Sequence, residues 1–220
     1  MLEKEGRSLS QKVARAASAL AVIGLCSQDM LSSTDKESLL KYGKILVYNV
    51  SSKPDGYGVS GYAGLVWDEQ DQVYKICTIS HAVNVPDTVM SEIFAPDSEE
   101  GDPVSCTDKY IPSNWPDGEN VPRVSYEGAQ VGDTVFMLNK EKELEFFTVS
   151  ETEEREAWFS PEEQQSLIGR GDSGTLVYKK DVSGEVVAIG AHSKREIAPN
   201  PEDPEHPIIT YNAVYFNRED

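Results

Sequence analysis

The stretch Gly169-Arg170-Gly171-Asp172-Ser173-Gly174 runs directly into the apolar segment Thr175-Leu176-Val177-Tyr178. Glycines around Ser173 allow the backbone to take positive φ angles, and they leave open space above the hydroxyl. A turn bent in this way points the amide hydrogens of Gly171 and Ser173 at one place, where the oxyanion of an acyl transfer would sit. A serine hydroxyl is a weak nucleophile until a base takes its proton. The stretch therefore predicts a turn that presents one serine, and it needs a histidine elsewhere.

The chain offers His81, His192 and His206 as that base. His81 ends the run Tyr74-Lys75-Ile76-Cys77-Thr78-Ile79-Ser80, which is typical of a half-buried strand. The histidine would then stand where the chain leaves the sheet. His206 lies in the proline-rich segment from Ala198 to Pro207, which predicts an exposed loop. His81 is therefore the candidate base.

The order of these two segments resembles that of a known family. Thr78-Ile79-Ser80-His81-Ala82 followed much later by Gly171-Asp172-Ser173-Gly174 resembles the trypsin/chymotrypsin-like serine proteases. Val131-Gly132-Asp133-Thr134-Val135 is similar to a strand start in the middle of that family's chain. The resemblance covers roughly Lys44 to Phe216. It implies a serine endopeptidase that acts on peptide or protein substrates and needs no cofactor.

The resemblance also implies an architecture, an all-β, chymotrypsin-like double six-stranded β-barrel. The first barrel would span about 43–112 and the second about 123–217, with the Pro/Asp/Gly/Asn-rich segment from Pro112 to Pro122 as their connector. In the second half the residue pattern predicts the strands Arg123–Tyr126, Asp133–Leu138, Leu144–Ser150, Glu156–Ser160, Thr175–Lys179, Val186–His192 and Ile208–Phe216.

A catalytic histidine needs a carboxylate on its far nitrogen, which fixes the tautomer and stabilises the imidazolium. The family has its histidine, aspartate and serine in that chain order. Asp108 is the candidate that we select between His81 and Ser173, and Asp102 and Asp117 remain alternatives. The Asp-x-Ala-x-Leu continuation that is usual in the family does not follow Asp108.

The pattern Ile189-Gly190-Ala191-His192 resembles the pocket strand of staphylococcal-type glutamyl endopeptidases and of picornavirus-like main proteases. In both groups that histidine binds a Glu or Gln side chain of the substrate. The resemblance therefore implies a substrate pocket formed by His192, Gly190 and Leu167, with Glu or Gln before the scissile bond. The alternative is a histidine that only closes a hairpin.

Composition narrows the possible partners. The chain has 220 residues, a formal net charge of -18 and a sequence pI of about 4.5. Binding to nucleic acid or to an anionic membrane requires a basic face, so neither partner is expected. No spacing typical of a zinc site occurs, and we expect no metal. The sequence does not indicate an oligomeric state.

Three cysteines, Cys26, Cys77 and Cys106, are too few for the disulfide framework of secreted trypsins. Together with the lack of a clean signal peptide, this favours the cytoplasm, with secretion as the alternative. Residues 1–42 show apolar positions at helical spacing from Leu9 to Gly24, and Thr34-x-x-Glu37 fits a capping box. We interpret this segment as a short helical N-terminal appendage; a signal or pro-segment is the rival interpretation.

Two other functions remain open. A catalytically inactive trypsin-like domain that acts as a binding or scaffold protein would keep the same barrels. An esterase on another fold would place its serine in Gly-x-Ser-x-Gly and its histidine last in the chain. In this sequence His81 precedes Ser173, which disfavours the esterase.

Overall fold

The computed structural model describes residues 31–50, 57–83, 103–109, 111, 120–161, 166–169, 171–201 and 203–217, with the backbone alone for 46–50 and 57–60. The predicted helical segment from Leu9 to Gly24, the alternatives Asp102 and Asp117, and Cys26 lie outside these residues. The chain divides into two compact units, Met1–Ser32 and Ser33–Asp220, and the description below concerns the second.

The elements of this unit follow one another in a mainly β order. They are α1 (Ser33–Tyr42), β1 (Ile45–Val50), β2 (Tyr57–Asp68), β3 (Val73–Ile79), α2 (Ser80–Val83), β4 (Val104–Thr107), β5 (Arg123–Val124), β6 (Thr134–Leu138), β7 (Leu144–Thr152), β8 (Glu156–Pro161), β9 (Leu176–Lys180), β10 (Val186–Ala198) and β11 (Ile208–Tyr215).

Six strands close into a barrel in the order β6-β7-β8-β11-β10-β9. The pair Phe136↔Tyr178 joins β9 back to β6 and completes the ring. Closure leaves no strand edge unpaired around the barrel. Apolar side chains fill its interior, among them Phe147, whose ring packs edge-on against Tyr211 at 5.2 Å between centroids. This closed barrel corresponds to the strands predicted for the second half of the chain.

The N-terminal half forms an antiparallel sheet of β1, β2, β3 and β4. Its longest strand, β2, pairs with β1 on one side and with β3 on the other. Leu65 and Tyr42 lie in its apolar core. Within the residues that the structure describes, this sheet does not close on itself, so a first barrel stays a prediction.

Strand β5 joins the sheet to the barrel. Strand β5 runs parallel to both β2 and β10. Its residue Arg123 lies opposite Trp67 of β2 and opposite Val187 of β10. Its guanidinium donates to Glu69 at 2.8 Å and also to Glu185, which precedes β10. The sequence pattern predicts Arg123–Tyr126 as the first strand of the second barrel. The structure instead makes it a short bridge, and the barrel begins at Thr134.

Helix α1 begins at Ser33, so Thr34 lies inside the helix and the predicted capping box does not form its start. The helix ends at Tyr42, and the amide of Gly43 donates to Leu39 O at 2.8 Å. The next residue, Lys44, is buried. Across the part of the chain that the structure describes, no helix is both long and apolar enough to cross a membrane.

A disulfide joins Cys77 of β3 to Cys106 of β4. The two residues lie directly opposite each other in the register of these strands. The sequence-based expectation took three cysteines as too few for the disulfide framework of a secreted trypsin and made no pairing. Disulfides form and persist in oxidising compartments, so this pair is not what the cytoplasmic expectation implies.

Candidate active site

Ser173 stands on a tight turn between buried Ile168 and strand β9. The amide of Asp172 donates to Gly169 O, and the amide of Thr175 donates to Asp172 O, each at 3.2 Å. These successive bonds bend the chain around Ser173, which is half-buried. The turn is the one that the sequence predicts.

Gly174 lets this turn approach the sheet. Its φ is +84°, and a Cβ atom built there would lie 2.1 Å from Tyr62 O and 2.2 Å from Thr78 Oγ1. Contacts this short exclude any side chain. The amide of Gly174 donates to His192 O at 2.7 Å, which holds the turn against β10. Glycine at this position is therefore a steric requirement of the site.

The amides that were predicted to bind an oxyanion lie in the same turn. Gly171 has a φ of +94° and is exposed. Among the residues that the structure describes, no acceptor takes the amide hydrogens of Gly171 and Ser173.

His81 lies in α2, the helical turn that directly follows β3. Its side chain is exposed, whereas the preceding Ile79 and the following Ala82 are buried. The buried residues anchor both sides of the histidine while its ring remains at the surface. This is where the sequence predicts His81, at the end of a half-buried strand.

The His81 turn and the Ser173 turn meet on strand β2. The amide of Tyr62 donates to Ser173 O at 2.8 Å. A Cβ atom built on Gly61 would lie 2.5 Å from Ser173 O and 3.0 Å from the Cβ of Ala82. The backbone of Ser173 and the residue after His81 therefore converge on Gly61.

His192 is buried at 2% exposure on β10, and its Nδ1 lies 3.0 Å from Asn212 O. A carbonyl oxygen only accepts, so Nδ1 carries the hydrogen and donates it. Burial lowers the pKa of His192 to about 4, and the nearby charges of His81 and Lys44 act in the same direction. His192 is therefore neutral at pH 7, with a lone pair on Nε2.

The next residue along β10 contacts the candidate nucleophile. Ser173 Oγ donates to Ser193 O at 3.2 Å. The carbonyl oxygen of His192 accepts from the amide of Gly174 in the Ser173 turn. The structure thus groups His81, Ser173 and His192 in one region, between the sheet and the barrel.

Asp108 is not part of this group. It is exposed and follows β4, in which Thr107 lies opposite Ile76. At the other end of the same pair, Val104 lies opposite Ile79, which is next to the His81 turn. Four residues of strand span roughly 13 Å. The register therefore places Asp108 at the far end of β4 from His81, contrary to the expectation that it orients the histidine.

The start of β4 is the end that lies beside the histidine turn. The amide of Ser80 donates to Pro103 O at 2.9 Å, and Ser80 Oγ lies 2.6 Å from Ser105 Oγ. Sequence reasoning did not find this arrangement, because the alternation of a strand fixes its faces and leaves the partner residues open.

The predicted pocket residues lie on two segments. Leu167 is 43% exposed and precedes the nucleophile turn, while Gly190 lies in the barrel wall opposite Tyr215. Arg195 Nη1 donates to Ile168 O at 3.4 Å, which brings a positive charge to the same segment.

Glu145 of β7 is a neighbour that sequence reasoning missed. Its carboxylate accepts from the amide of Leu167 at 2.9 Å and from the hydroxyl of Ser166. It fixes the segment that precedes the nucleophile turn. The only signal in the sequence was an acidic residue within the apolar run of β7.

Within the described ranges, no group of three or more His, Cys, Asp or Glu residues could hold a metal ion. No protein-family model and no curated protein matches the chain. Among solved structures, that of Thermobifida fusca protease A is similar to this chain at a TM-score of 0.41 and 11% sequence identity. The match covers 80% of this chain and 98% of that chain. A similarity of this size assigns no role to any residue.

Proposed function

We propose that this chain is a serine endopeptidase in which Ser173 is the nucleophile and His81 the base. The observation that carries the proposal is the convergence on Gly61, which Ser173 O and the Cβ of Ala82 would both crowd if it bore a side chain. Two segments far apart in the sequence are held together there, and each presents a residue type that acyl transfer requires.

In the proposed reaction, Ser173 Oγ attacks the carbonyl carbon of the scissile peptide bond, and His81 takes the hydroxyl proton. The amides of Gly171 and Ser173 donate to the oxyanion of the tetrahedral intermediate. His81 then gives the proton to the leaving amine, and the C–N bond breaks. Water attacks the acyl-enzyme with His81 again as base, which releases the acid and restores Ser173.

For the carboxylate that orients His81, we propose Asp102 in place of Asp108. Asp102 directly precedes Pro103 in the sequence, and Pro103 O accepts from the amide of Ser80, the neighbour of His81. Asp117 remains the other alternative.

We propose that the residue before the scissile bond is Glu or Gln, and that His192 binds its side chain. Neutral His192 offers the lone pair of Nε2, which accepts from the amide N–H of a Gln side chain. A Glu carboxylate can only accept, so a Glu side chain makes this contact when either its own carboxyl group or His192 carries a proton. Arg195 adds positive charge nearby. We therefore expect Gln to be preferred at neutral pH and Glu to gain as the pH falls.

The experiment is cleavage of a diverse peptide library, read by mass spectrometry, together with labelling by a fluorophosphonate probe. Wild-type protein, Ser173→Ala and Ser183→Ala are compared; Ser183 is an exposed serine in the turn between β9 and β10. We expect cleavage after Gln or Glu and labelling in the wild type and in Ser183→Ala. Both signals disappear in Ser173→Ala.

Each other outcome points elsewhere. Cleavage after other residues that still depends on Ser173 keeps the protease and removes His192 as reader. Labelling that persists in Ser173→Ala contradicts the nucleophile. Neither cleavage nor labelling in the wild type favours the inactive binding or scaffold protein.

A further inference from the structure

Lys44 places a buried ammonium group against the turn that carries Ser173. The residue is 6% exposed, although it lies in the short connection between α1 and β1. Its Nζ donates to Asp172 Oδ1 at 2.8 Å and to Leu138 O at 3.0 Å. The same nitrogen lies 3.9 Å from the centroid of the Tyr62 ring. Three groups from three parts of the fold thus surround one charge.

An ammonium in such a place is costly. Removing an ion from water costs several kcal/mol, and only close partners offset that cost. Burial lowers the pKa of Lys44, while the hydrogen bond and the charge of Asp172 act against this shift. Asp172 is itself buried, at 3% exposure. Each member of the pair would be an uncompensated buried charge without the other.

Asp172 carries the effect of Lys44 into the turn. Its second oxygen, Oδ2, accepts from the amide of Gly169 at 2.8 Å. Its own backbone amide donates to Gly169 O. Asp172 stands between Gly171 and Ser173, whose amides are the proposed oxyanion donors. The orientation of this carboxylate therefore fixes the curvature of the backbone on both sides.

We propose that Lys44 is a positioning residue of the reaction: its ammonium holds Asp172, and Asp172 holds the amides of Gly171 and Ser173 toward the oxyanion. Lys44 itself touches no substrate. This inference rests on the proposed function. In this proposal the ammonium of Lys44 orders the Ser173 turn, although Lys44 lies 128 residues before Asp172 in the sequence.

The test compares Lys44→Met with a matched control, Lys140→Met, which removes an exposed lysine from the turn between β6 and β7. We expect kcat of Lys44→Met to fall about 100-fold or more, as when an oxyanion donor is lost. KM changes little, because the substrate ground state does not use this donor. Lys140→Met keeps wild-type kcat and KM. Near-UV circular dichroism establishes that both variants are folded.

Chemical rescue separates positioning from a merely structural role. In Lys44→Ala, propylammonium fits the space of the missing side chain and restores the charge. We expect it to raise kcat, whereas n-propanol, of similar size and without charge, does not. Equal effects of the two compounds would overturn the proposal, since cavity filling alone would explain them.

If Lys44→Met does not fold, a double variant still tests the proposal. The double variant Lys44→Met/Asp172→Asn contains no unpaired buried charge, and we expect it to fold with low kcat. A folded variant of either kind with wild-type kcat overturns the positioning role. Loss of the proposed function itself would look different, because wild-type protein would then show no turnover that depends on Ser173.

Discussion

At the scale of single residues, the protonation of His192 is linked to folding. The unfolded chain binds a proton with the ordinary histidine pKa of about 6.5, whereas burial holds the pKa in the folded protein at about 4. The unfolded state therefore binds more protons between these values. The contribution of neutral His192 to stability is complete above pH 6.5 and is lost progressively as the pH falls to about 4.

The pKa difference at His192 corresponds to about 3 kcal/mol of unfolding free energy. We expect wild-type protein to lose this amount more than His192→Asn between pH 7 and pH 4, because asparagine does not titrate. Urea unfolding at both pH values measures it. His206→Asn is the control, since His206 is exposed, and it should follow the wild type. An identical loss in wild type and His192→Asn would contradict the linkage.

The sequence motif predicts His192 as a pocket histidine, but it could not give the tautomer of the ring. The tautomer depends on Asn212 O, which lies across the pairing of β10 with β11. The charged partner of Asp172 was equally hidden, because Lys44 precedes it by most of the chain. The proposed nucleophile and base are each marked by their local sequence, whereas the partners of these residues come from tertiary contacts.

At the scale of elements, the pairing of β3 with β4 separates Asp108 from His81, the proposed base. The register sets Val104 opposite Ile79 and Thr107 opposite Ile76. Asp108 is therefore exposed at the end of β4 that lies far from His81. We expect Asp108→Asn to keep wild-type kcat/KM and Asp102→Asn to lower it by orders of magnitude, about 10⁴-fold in the known triad.

Peptidase assays of the two variants, with Asp117→Asn beside them, measure this difference. Asparagine has nearly the same shape as aspartate, so each variant loses only the negative charge of the carboxylate. At the acid that contacts His81, this loss also removes the group that fixes the histidine tautomer. Full activity in Asp102→Asn with loss in Asp117→Asn would select the remaining alternative. Loss in Asp108→Asn would contradict the placement by register.

Strand positions were largely predictable from the pattern of residues. Leu144–Ser150 was expected and β7 spans Leu144–Thr152; Ile208–Phe216 was expected and β11 spans Ile208–Tyr215. Alternation reports which face of a strand is buried. It does not report which strands pair, so neither the register beside Asp108 nor the Cys77–Cys106 disulfide could be read from the sequence.

At the scale of the whole molecule, the candidate site is assembled from both halves of the fold. His81 comes from the N-terminal sheet, and Ser173 comes from the connection between β8 and β9 of the closed barrel. The contacts of β5, Lys44 and Tyr62 hold the halves together at this place. The sequence indicated two halves, but it did not show which residues join them, because those residues meet only through tertiary contacts.

The net charge of -18 acts on every substrate that approaches the site. Like charges repel over distances that salt shortens, from about 10 Å at 0.1 M ionic strength to about 3 Å at 1 M. We expect kcat/KM for an acidic peptide cleaved after Glu to rise between low ionic strength and about 1 M NaCl. The neutral Gln peptide of the same sequence should change little, and it serves as the control.

A fall of kcat/KM for the Glu peptide with added salt would indicate attraction by positive charge close to the site. Lys194 and Arg195 are exposed and follow His192 on β10, and Arg195 Nη1 donates to Ile168 O, next to Leu167 of the proposed pocket. If their local field outweighed the repulsion of the whole molecule, added salt would lower kcat/KM for the Glu peptide and leave the Gln peptide unchanged. Steady-state kinetics of the two peptides across the salt series therefore measures which field the substrate meets: the global acidity of the chain or the basic edge of β10.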